Sequence, residues 1–426
     1  MKKAMVYGLG TSGTSAVKLL KINNYEVIEV DDKNAINSKE ALNYLDGVSL
    51  FVKSPGIPYN ELTNKVYELG IELIDEIELA YRFDRTGAKI IAVTGTNGKT
   101  TTTSKIAGLL ELSGFQVEAG GNIGKAYSEI VLNNEKLDYL VLELSSYQLE
   151  NLKTFKAHIS IIINLSPDHL DRYRNLEDYY KAKLNILNNQ ENKDFFILNL
   201  DSQEIQDFKL EYKQKLVKIS SNSCENADIY VENGIIKAYG NDKLEIAKFS
   251  LKGKHNLENI MFILAVSKIL NLDYEIVKKY LYTTEALEHR MELVLEKNGI
   301  IFINDSKGTN IDSTIKAINA YENKVILICG GKDKKLNLMP LVESVIEKVK
   351  KVYLIGETAD KLEILFKRNS YKHVYNFGNL EEVIANLEIE SGDVVLFSPA
   401  HSSFDQYKNY MDRGKVFKEL VKNRFN

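Results

Sequence analysis

With 426 residues, 44% apolar and 27% charged, the chain has the make-up of an ordinary globular protein and the length for about three domains, each able to bury its own core. Its net charge of −4 gives no basic field for nucleic acid, and its two cysteines, Cys224 and Cys329, are too few for a disulfide framework or a zinc site and read as inert core thiols. No apolar run approaches the ~18 residues of a membrane span and no signal peptide is evident, so the expectation is a cytoplasmic protein without membrane insertion.

Short β-like runs alternate with helical patterns along the whole chain, which predicts an α/β fold with mainly parallel sheets. Residues 3–8 read as a strand, about 13–23 as a helix, and 26–30 as the next strand. Between the first two lies Gly8-Leu9-Gly10-Thr11-Ser12-Gly13, and the second strand ends at Asp31-Asp32. A G-x-G-x-x-G turn lets backbone approach a diphosphate, and an acid twenty residues on can reach a ribose. The same pattern also arises from tight strand–helix packing, and it does not distinguish NAD from another diphosphate ligand. Asp84-Arg85-Thr86-Gly87 reads as a linker and closes a first domain, 1–87.

A second domain, 88–284, opens on a strand that runs into Val93-Thr94-Gly95-Thr96-Asn97-Gly98-Lys99-Thr100-Thr101. Amides around Gly95 and Gly98 can wrap phosphate oxygens, Lys99 can reach the terminal phosphates, and Thr100 can offer a hydroxyl to Mg²⁺. A lysine at a helix start is disfavoured by the helix dipole unless an anion lies there. The first glycine of the general phosphate-loop pattern is replaced by Val93. Buried strands at 139–142 and 159–163 end in Glu143 and in Asn164-Leu165-Ser166-Pro167-Asp168-His169-Leu170-Asp171-Arg172. A carboxylate at a strand's carboxyl end suits a nucleotide-bound Mg²⁺ but is also common facing water. Lys183, on a predicted helix, reads as an ordinary snorkelling lysine. The stretch near 194–252 is more polar and looks antiparallel, and a helix is expected from about 256 to 270, with Asn256 and Asn259 one turn apart. Asn256 can grip a nucleotide or simply cap the helix. Thr283-Thr284 marks the second boundary.

The third domain, 285–426, has predicted strands at 300–303, 325–328, 352–355 and 394–397. Polar loops at 304–310, 330–335 and 398–406 follow three of them and would line one crevice, with cations and hydroxyls for a carboxylate-bearing substrate. The phosphate-loop reading of a nucleotide-using enzyme has a rival that takes the G-x-G-x-x-G literally, an NAD-dependent oxidoreductase fused to an NTPase-like module. A non-catalytic nucleotide switch is a third.

In order along the chain, Gly95-Thr96-Asn97-Gly98-Lys99-Thr100-Thr101, Gly121-Asn122-Ile123-Gly124, Glu143-Leu144-Ser145-Ser146, Asp168-His169-Leu170-Asp171-Arg172, His255-Asn256, His289-Arg290, Asn304-Asp305-Ser306-Lys307 and Ser398-Pro399-Ala400 resemble the Mur ligase superfamily of ATP-dependent amide-forming enzymes. Within it, Gly8-Leu9-Gly10, Ser54-Pro55-Gly56 and the ending Ser403-Phe404-Asp405-Gln406-Tyr407 with Arg413-Gly414 are similar to members that add D-glutamate to UDP-N-acetylmuramoyl-L-alanine in peptidoglycan precursor synthesis. The resemblance implies a Rossmann-like N-terminal domain for the UDP substrate, a central P-loop ATPase-like domain, and a C-terminal Rossmann-like domain for the amino acid. It implies ATP contacts at Gly95, Thr96, Asn97, Gly98, Lys99, Thr100, Thr101, Asn256, Asn259, Arg290 and Asp305. UDP-substrate contacts are implied at Gly10, Thr11, Asp31, Asp32, Ser54, Gly56, Asn122 and Ser145, and a D-glutamate pocket at Lys307, Thr309, Lys334, Ser403 and Tyr410. Lys99, Glu143, His169 and Lys183 are implied as catalytic. Two Mg²⁺ ions are implied, one on Thr100 and Glu143 and one on His169 and Lys183, with Lys183 carrying a CO₂-derived carbamate. Lys335 stands where many relatives have glycine, and Tyr410 where phenylalanine is frequent. The implied reaction is carboxylate phosphorylation by ATP, then attack of the amine on the acyl phosphate, with closure of the third domain to exclude water in a monomeric enzyme.

Overall fold

The computed structural model describes residues 2–168, 172–222, 226–238, 243–251 and 253–426. Three sheets carry the α/β fold. The first contains β1 (Lys2–Tyr7), β2 (Tyr25–Val30), β3 (Val48–Lys53) and β4 (Glu72–Asp75), all parallel, in the order β2-β1-β3-β4. The chain leaves β1 for β2 on one side and reaches β3 on the other, so a crevice opens beyond their carboxyl ends. The helix Thr11–Ile22 begins two residues earlier than its apolar pattern suggests. It packs so closely on β1 that a Cβ at Gly13 would lie 1.8 Å from the Gly8 carbonyl oxygen.

The second sheet contains β5 (Lys89–Thr94), β6 (Val117–Gly121), β7 (Tyr139–Glu143), β8 (Ile159–Ile162), β9 (Phe195–Asn199), β10 (Lys215–Ser220), β11 (Ile229–Glu232), β12 (Ile235–Lys237) and β13 (Lys243–Glu245). Its order is β13-β12-β11-β10-β9-β8-β5-β7-β6. The region expected to be antiparallel is so only in β11–β13; β9 and β10 continue the parallel sheet from β8. Phe196, Ile197, Val217 and Ile219 are buried, and that apolar core outweighs the polar residues flanking it. A helix at Lys254–Ile269 follows.

The third sheet contains β14 (Glu292–Lys297), β15 (Ile300–Asn304), β16 (Val325–Gly330), β17 (Val349–Ile355), β18 (Val374–Gly378) and β19 (Val394–Phe397), in the order β14-β15-β19-β16-β17-β18. Only β14 is antiparallel to its neighbour. The edge strands β14 and β18 have no fully buried residue, so they lack the apolar run that made the central strands legible. Cys329 lies buried in β16, where burial pushes its thiol up to about 12, as an inert core thiol requires; Cys224 falls outside the described residues.

Close contacts divide the chain into two units. One comprises Met1–Leu165, Arg172–Lys248 and Glu258–Tyr282 with the first two sheets; the other comprises Ser166–Asp171, Phe249–Leu257 and Thr283–Asn426 with the third. Within the first unit, Met5, Tyr7, Val30 and Phe51 belong to a core on one face of the first sheet, while its other face shares a core with the second sheet. One continuous apolar cluster runs from Ala4, Val6 and Leu20 through Ile77 and Tyr127 to Leu140 and Leu142. Polar bonds reinforce it. The buried Glu78 carboxylate accepts the Lys153, Thr154 and Phe155 amides at 2.9–3.0 Å, and Glu76 accepts the Ser128 amide at 2.6 Å. Among the described residues no helix is long and apolar enough to cross a membrane.

Candidate active site

The middle of the second sheet, β8-β5-β7, delivers three loops side by side. The loop from β5 carries the glycines and Lys99. Gly98 has φ 85° and a Cβ there would lie 2.6 Å from Asn259 Oδ1, so the turn into the helix Lys99–Leu112 needs glycine. That helix has no acid in its first turn, which leaves its positive end for an anion. The Lys99 ammonium folds back to donate to the Gly95 and Thr96 carbonyls at 2.8 and 2.9 Å. The loop is held from β8, where Asn164 accepts the Asn97 amide at 2.9 Å and donates to the Asn97 carbonyl at 3.2 Å. Thr96 Oγ1 lies 3.3 Å from the Tyr179 hydroxyl. Thr101 is buried beneath the loop.

From β7 comes Glu143, only 1% exposed. It accepts the Thr100 hydroxyl at 2.6 Å and the Asn122 amide at 2.7 Å. Thr100, Glu143 and Asn122 are therefore one cluster, whereas the resemblance implied Thr100 and Glu143 together and assigned Asn122 to the UDP substrate. Lys183, 2% exposed on the helix Leu176–Leu184, reaches the same loop: its Nζ donates to the Gly95 carbonyl at 2.8 Å and lies 4.8 Å from the Tyr179 ring centroid. His169 lies outside the described residues. Asn259 accepts the Thr102 hydroxyl at 3.2 Å, behind the loop. Ser145 donates to Gln148 through both amide and hydroxyl.

In the same unit a cavity of about 570 Å³ sits at the crevice of the first sheet, lined by Gly10, Thr11, Asp31, Asp32, Ser54 and Gly56 among others. The two acids also build its wall. Asp31 accepts the Leu9 amide at 2.8 Å and the Lys33 and Asn34 amides, and those bonds hold its carboxyl below the usual range. Asp32 accepts the Ser38 amide at 2.7 Å and the Tyr7 hydroxyl at 2.8 Å, with the same effect. Ser54 Oγ donates to the Gly8 carbonyl at 2.6 Å, joining the two loops.

In the second unit, Asp305 at the end of β15 is buried, which pushes its carboxyl up to about 7 against the opposing Ser398 hydrogen bond (2.7 Å) and the Arg290 charge. Lys307 lies with Nζ 3.9 Å from the Tyr410 ring centroid, and the Thr309 amide donates to the Lys307 carbonyl at 2.8 Å. Ser403 is buried, and Lys334 pairs with Asp168 at 3.6 Å. Asn256 is also buried here. Lys335 has φ 55°, a left-handed conformation that explains why glycine suits this position. Sequence reading placed Arg413 in the closing motif but missed its structural role: buried, it donates to the Ser306 and His401 carbonyls and so ties two loops together. It also missed the staple role of Asn164, whose only signal was its place at the end of the strand beside β5.

Two domain families match the chain: the Mur ligase middle domain over residues 93–267, and the Mur ligase glutamate ligase domain over 289–401. The UDP-N-acetylmuramoylalanine--D-glutamate ligase of Fusobacterium nucleatum is 48% identical over 99% of both chains. That of Natranaerobius thermophilus is 38% identical over 98% of this chain and 97% of its own. Among solved structures, MurF ligase from Thermotoga maritima in complex with ADP superposes with TM-score 0.64 at 16% identity, over 99% of this chain and 95% of that one. The UDP-N-acetylmuramate-alanine ligase of the same organism gives 0.62 at 18%, over 99% of both.

Proposed function

The chain belongs to the Mur ligase family, and from that premise we propose that it is an ATP-dependent ligase joining D-glutamate to UDP-N-acetylmuramoyl-L-alanine in peptidoglycan precursor synthesis. The observation that carries this reading is the Thr100–Glu143 pair facing the phosphate loop, in a chain similar along its full length to enzymes of that name. Residues 1–87 take the UDP substrate, 88–284 take ATP, and 285–426 take the amino acid.

A carboxylate is a poor electrophile, so the substrate carboxylate first attacks the γ-phosphorus and ADP leaves. The D-glutamate nitrogen then attacks the acyl carbon, phosphate departs with its bridging oxygen, and the nitrogen gives up a proton to leave an amide. Lys99 leaves the Gly95 and Thr96 carbonyls to meet the transferring phosphoryl group, and the loop amides and helix terminus bind its oxygens. The donors fit Mg²⁺: the Thr100 hydroxyl and buried Glu143 carboxylate are hard oxygen ligands already 2.6 Å apart. Thr100 and Glu143 would hold one ion, and His169 with Lys183 as a carbamate a second; bound there, the ions neutralise phosphoryl charge. Asn256, Asn259, Arg290 and Asp305 position ATP. Asn122 and Ser145 contact the UDP substrate beyond its cavity, and Lys307, Thr309, Lys334, Ser403 and Tyr410 hold D-glutamate. We take the enzyme to work as a cytoplasmic monomer. The G-x-G-x-x-G turn then serves a diphosphate and no nicotinamide chemistry.

Phosphate release from ATP, measured with UDP-N-acetylmuramoyl-L-alanine and amino acids supplied one at a time, tests this. Release is expected only with D-glutamate. No release with D-glutamate refutes the substrate assignment, and release with a different amino acid moves the enzyme elsewhere in the family.

A further inference from the structure

We propose that Arg172 is a positioning residue for the UDP substrate, acting through the loop 54–57 without touching the ligand. This deepens the reading above and rests on the cavity at that loop taking the uridine diphosphate end.

The Arg172 guanidinium donates to the Pro55 carbonyl at 2.7 Å and to the Ile57 carbonyl at 3.2 Å. Its own place is fixed from two sides. Glu150 Oε2 accepts from it at 3.4 Å, the Tyr147 ring lies 4.0 Å beneath its carbon, and Glu150 in turn accepts the Tyr173 hydroxyl at 2.8 Å. The buried Lys53, at the end of β3 and next to Ser54, faces Glu150 at 3.6 Å and Asp75 at 3.5 Å. A planar guanidinium that forks between two carbonyls of one turn sets their direction in a way a lysine cannot.

Direction matters because of peptide geometry. In a trans peptide the carbonyl and the amide of one unit point to opposite sides. Drawing the Pro55 carbonyl towards Arg172 therefore turns the Gly56 N–H away from Arg172. Arg172 lines a separate cavity of about 370 Å³ with Tyr59, Glu150 and Tyr173 and does not line the nucleotide cavity, whereas Pro55 and Gly56 do line the latter. The arginine thus holds the loop from behind and presents a backbone donor to the ligand side. Gly56 is exposed, and its N–H has no acceptor among the described residues. A fixed amide that is open to solvent and has no protein acceptor can donate to an oxygen of a diphosphate.

UDP itself is the probe. Calorimetric titration of wild type, R172M and R172K, with steady-state KM values for all three substrates, reads the role. R172M is expected to bind UDP at least about tenfold more weakly and to raise KM for UDP-N-acetylmuramoyl-L-alanine by a similar factor. KM for ATP and D-glutamate should stay within about twofold, a split that general loss of structure would not give. R172K keeps the charge without the fork and should fall between the two; it decides the matter by the same criterion should R172M not fold. UDP affinity within twofold of wild type in the folded variant overturns the positioning role. Failure of wild type to bind UDP overturns the cavity assignment instead.

Discussion

Lys99 and Lys183 donate to one acceptor, the Gly95 carbonyl oxygen, each at 2.8 Å. The two ammonium groups come from different helices and meet on the backbone of the phosphate loop. A carbamate on Lys183 would reverse its charge, exchange a donor for oxygen acceptors, and release Gly95 to Lys99 alone.

Lys183→Ala should therefore lose at least about 100-fold in turnover, the scale of removing one electrostatic element from a phosphoryl-transfer site. Acetate at high concentration, a short carboxylate that fits the vacated space, should restore part of it. Phosphate release assayed with and without acetate checks both; full activity in the untreated variant contradicts the role.

Asn164→Ala removes two side-chain hydrogen bonds to the Asn97 peptide while leaving the β8 backbone in place. At about 1 kcal/mol for each bond, nucleotide affinity should drop by roughly tenfold or more. Titration with a fluorescent ATP analogue measures this, and unchanged affinity would mean that the loop keeps its shape without the staple.

Glu76 gives a pH signature. Burial pushes its carboxyl up to about 7 from an ordinary 4.5, against the opposing Ser128 amide. Between those values the folded protein retains a proton that the unfolded chain has released, so this group lowers stability as pH rises from 4.5 to 7. Glu76→Gln keeps an acceptor for Ser128 and removes the titration. The stability of wild type minus that of the variant, from urea unfolding at pH 5 and pH 8, should fall between the two. His401 has the opposite sign: burial lowers it to about 4, so it favours folding more as pH rises from 4 to 6.5.

Lys335→Gly should raise stability by up to about 1 kcal/mol, because φ 55° costs a β-carbon more than glycine loses in chain entropy. Denaturant unfolding of the variant tests it; a destabilised variant would show that the lysine side chain contributes something its exposed position does not reveal.

The central strands were legible because burial on both faces leaves continuous apolar runs, as in Ile90–Val93 and Leu140–Leu142. The edge strands β14 and β18 were not, because half-exposed residues blur the same pattern. Phosphate-loop chemistry could be read locally, since its glycines, lysine and threonine are consecutive. Asn164, Glu150 and Arg172 could not: Asn164 and Arg172 act on backbone that is distant in sequence and Glu150 on the distant side chains of Lys53 and Arg172, and these partners become neighbours only once the strands are ordered. Lys183 was invisible to pattern alone because a lysine between Ala182 and Leu184 looks like any other on a helix surface. Its burial appears only with the fold.

Glu78 has a consequence for how this protein can be taken apart. Residues 84–87 look like a place to cut, yet the carboxylate just before them binds three amides beyond the cut, inside an apolar cluster shared by both sheets. A fragment ending at residue 87 would carry an exposed apolar flank and a stranded acid, and the remainder would lose the anion that orders 153–155. The segment is a seam, and 1–87 expressed alone should be poorly soluble.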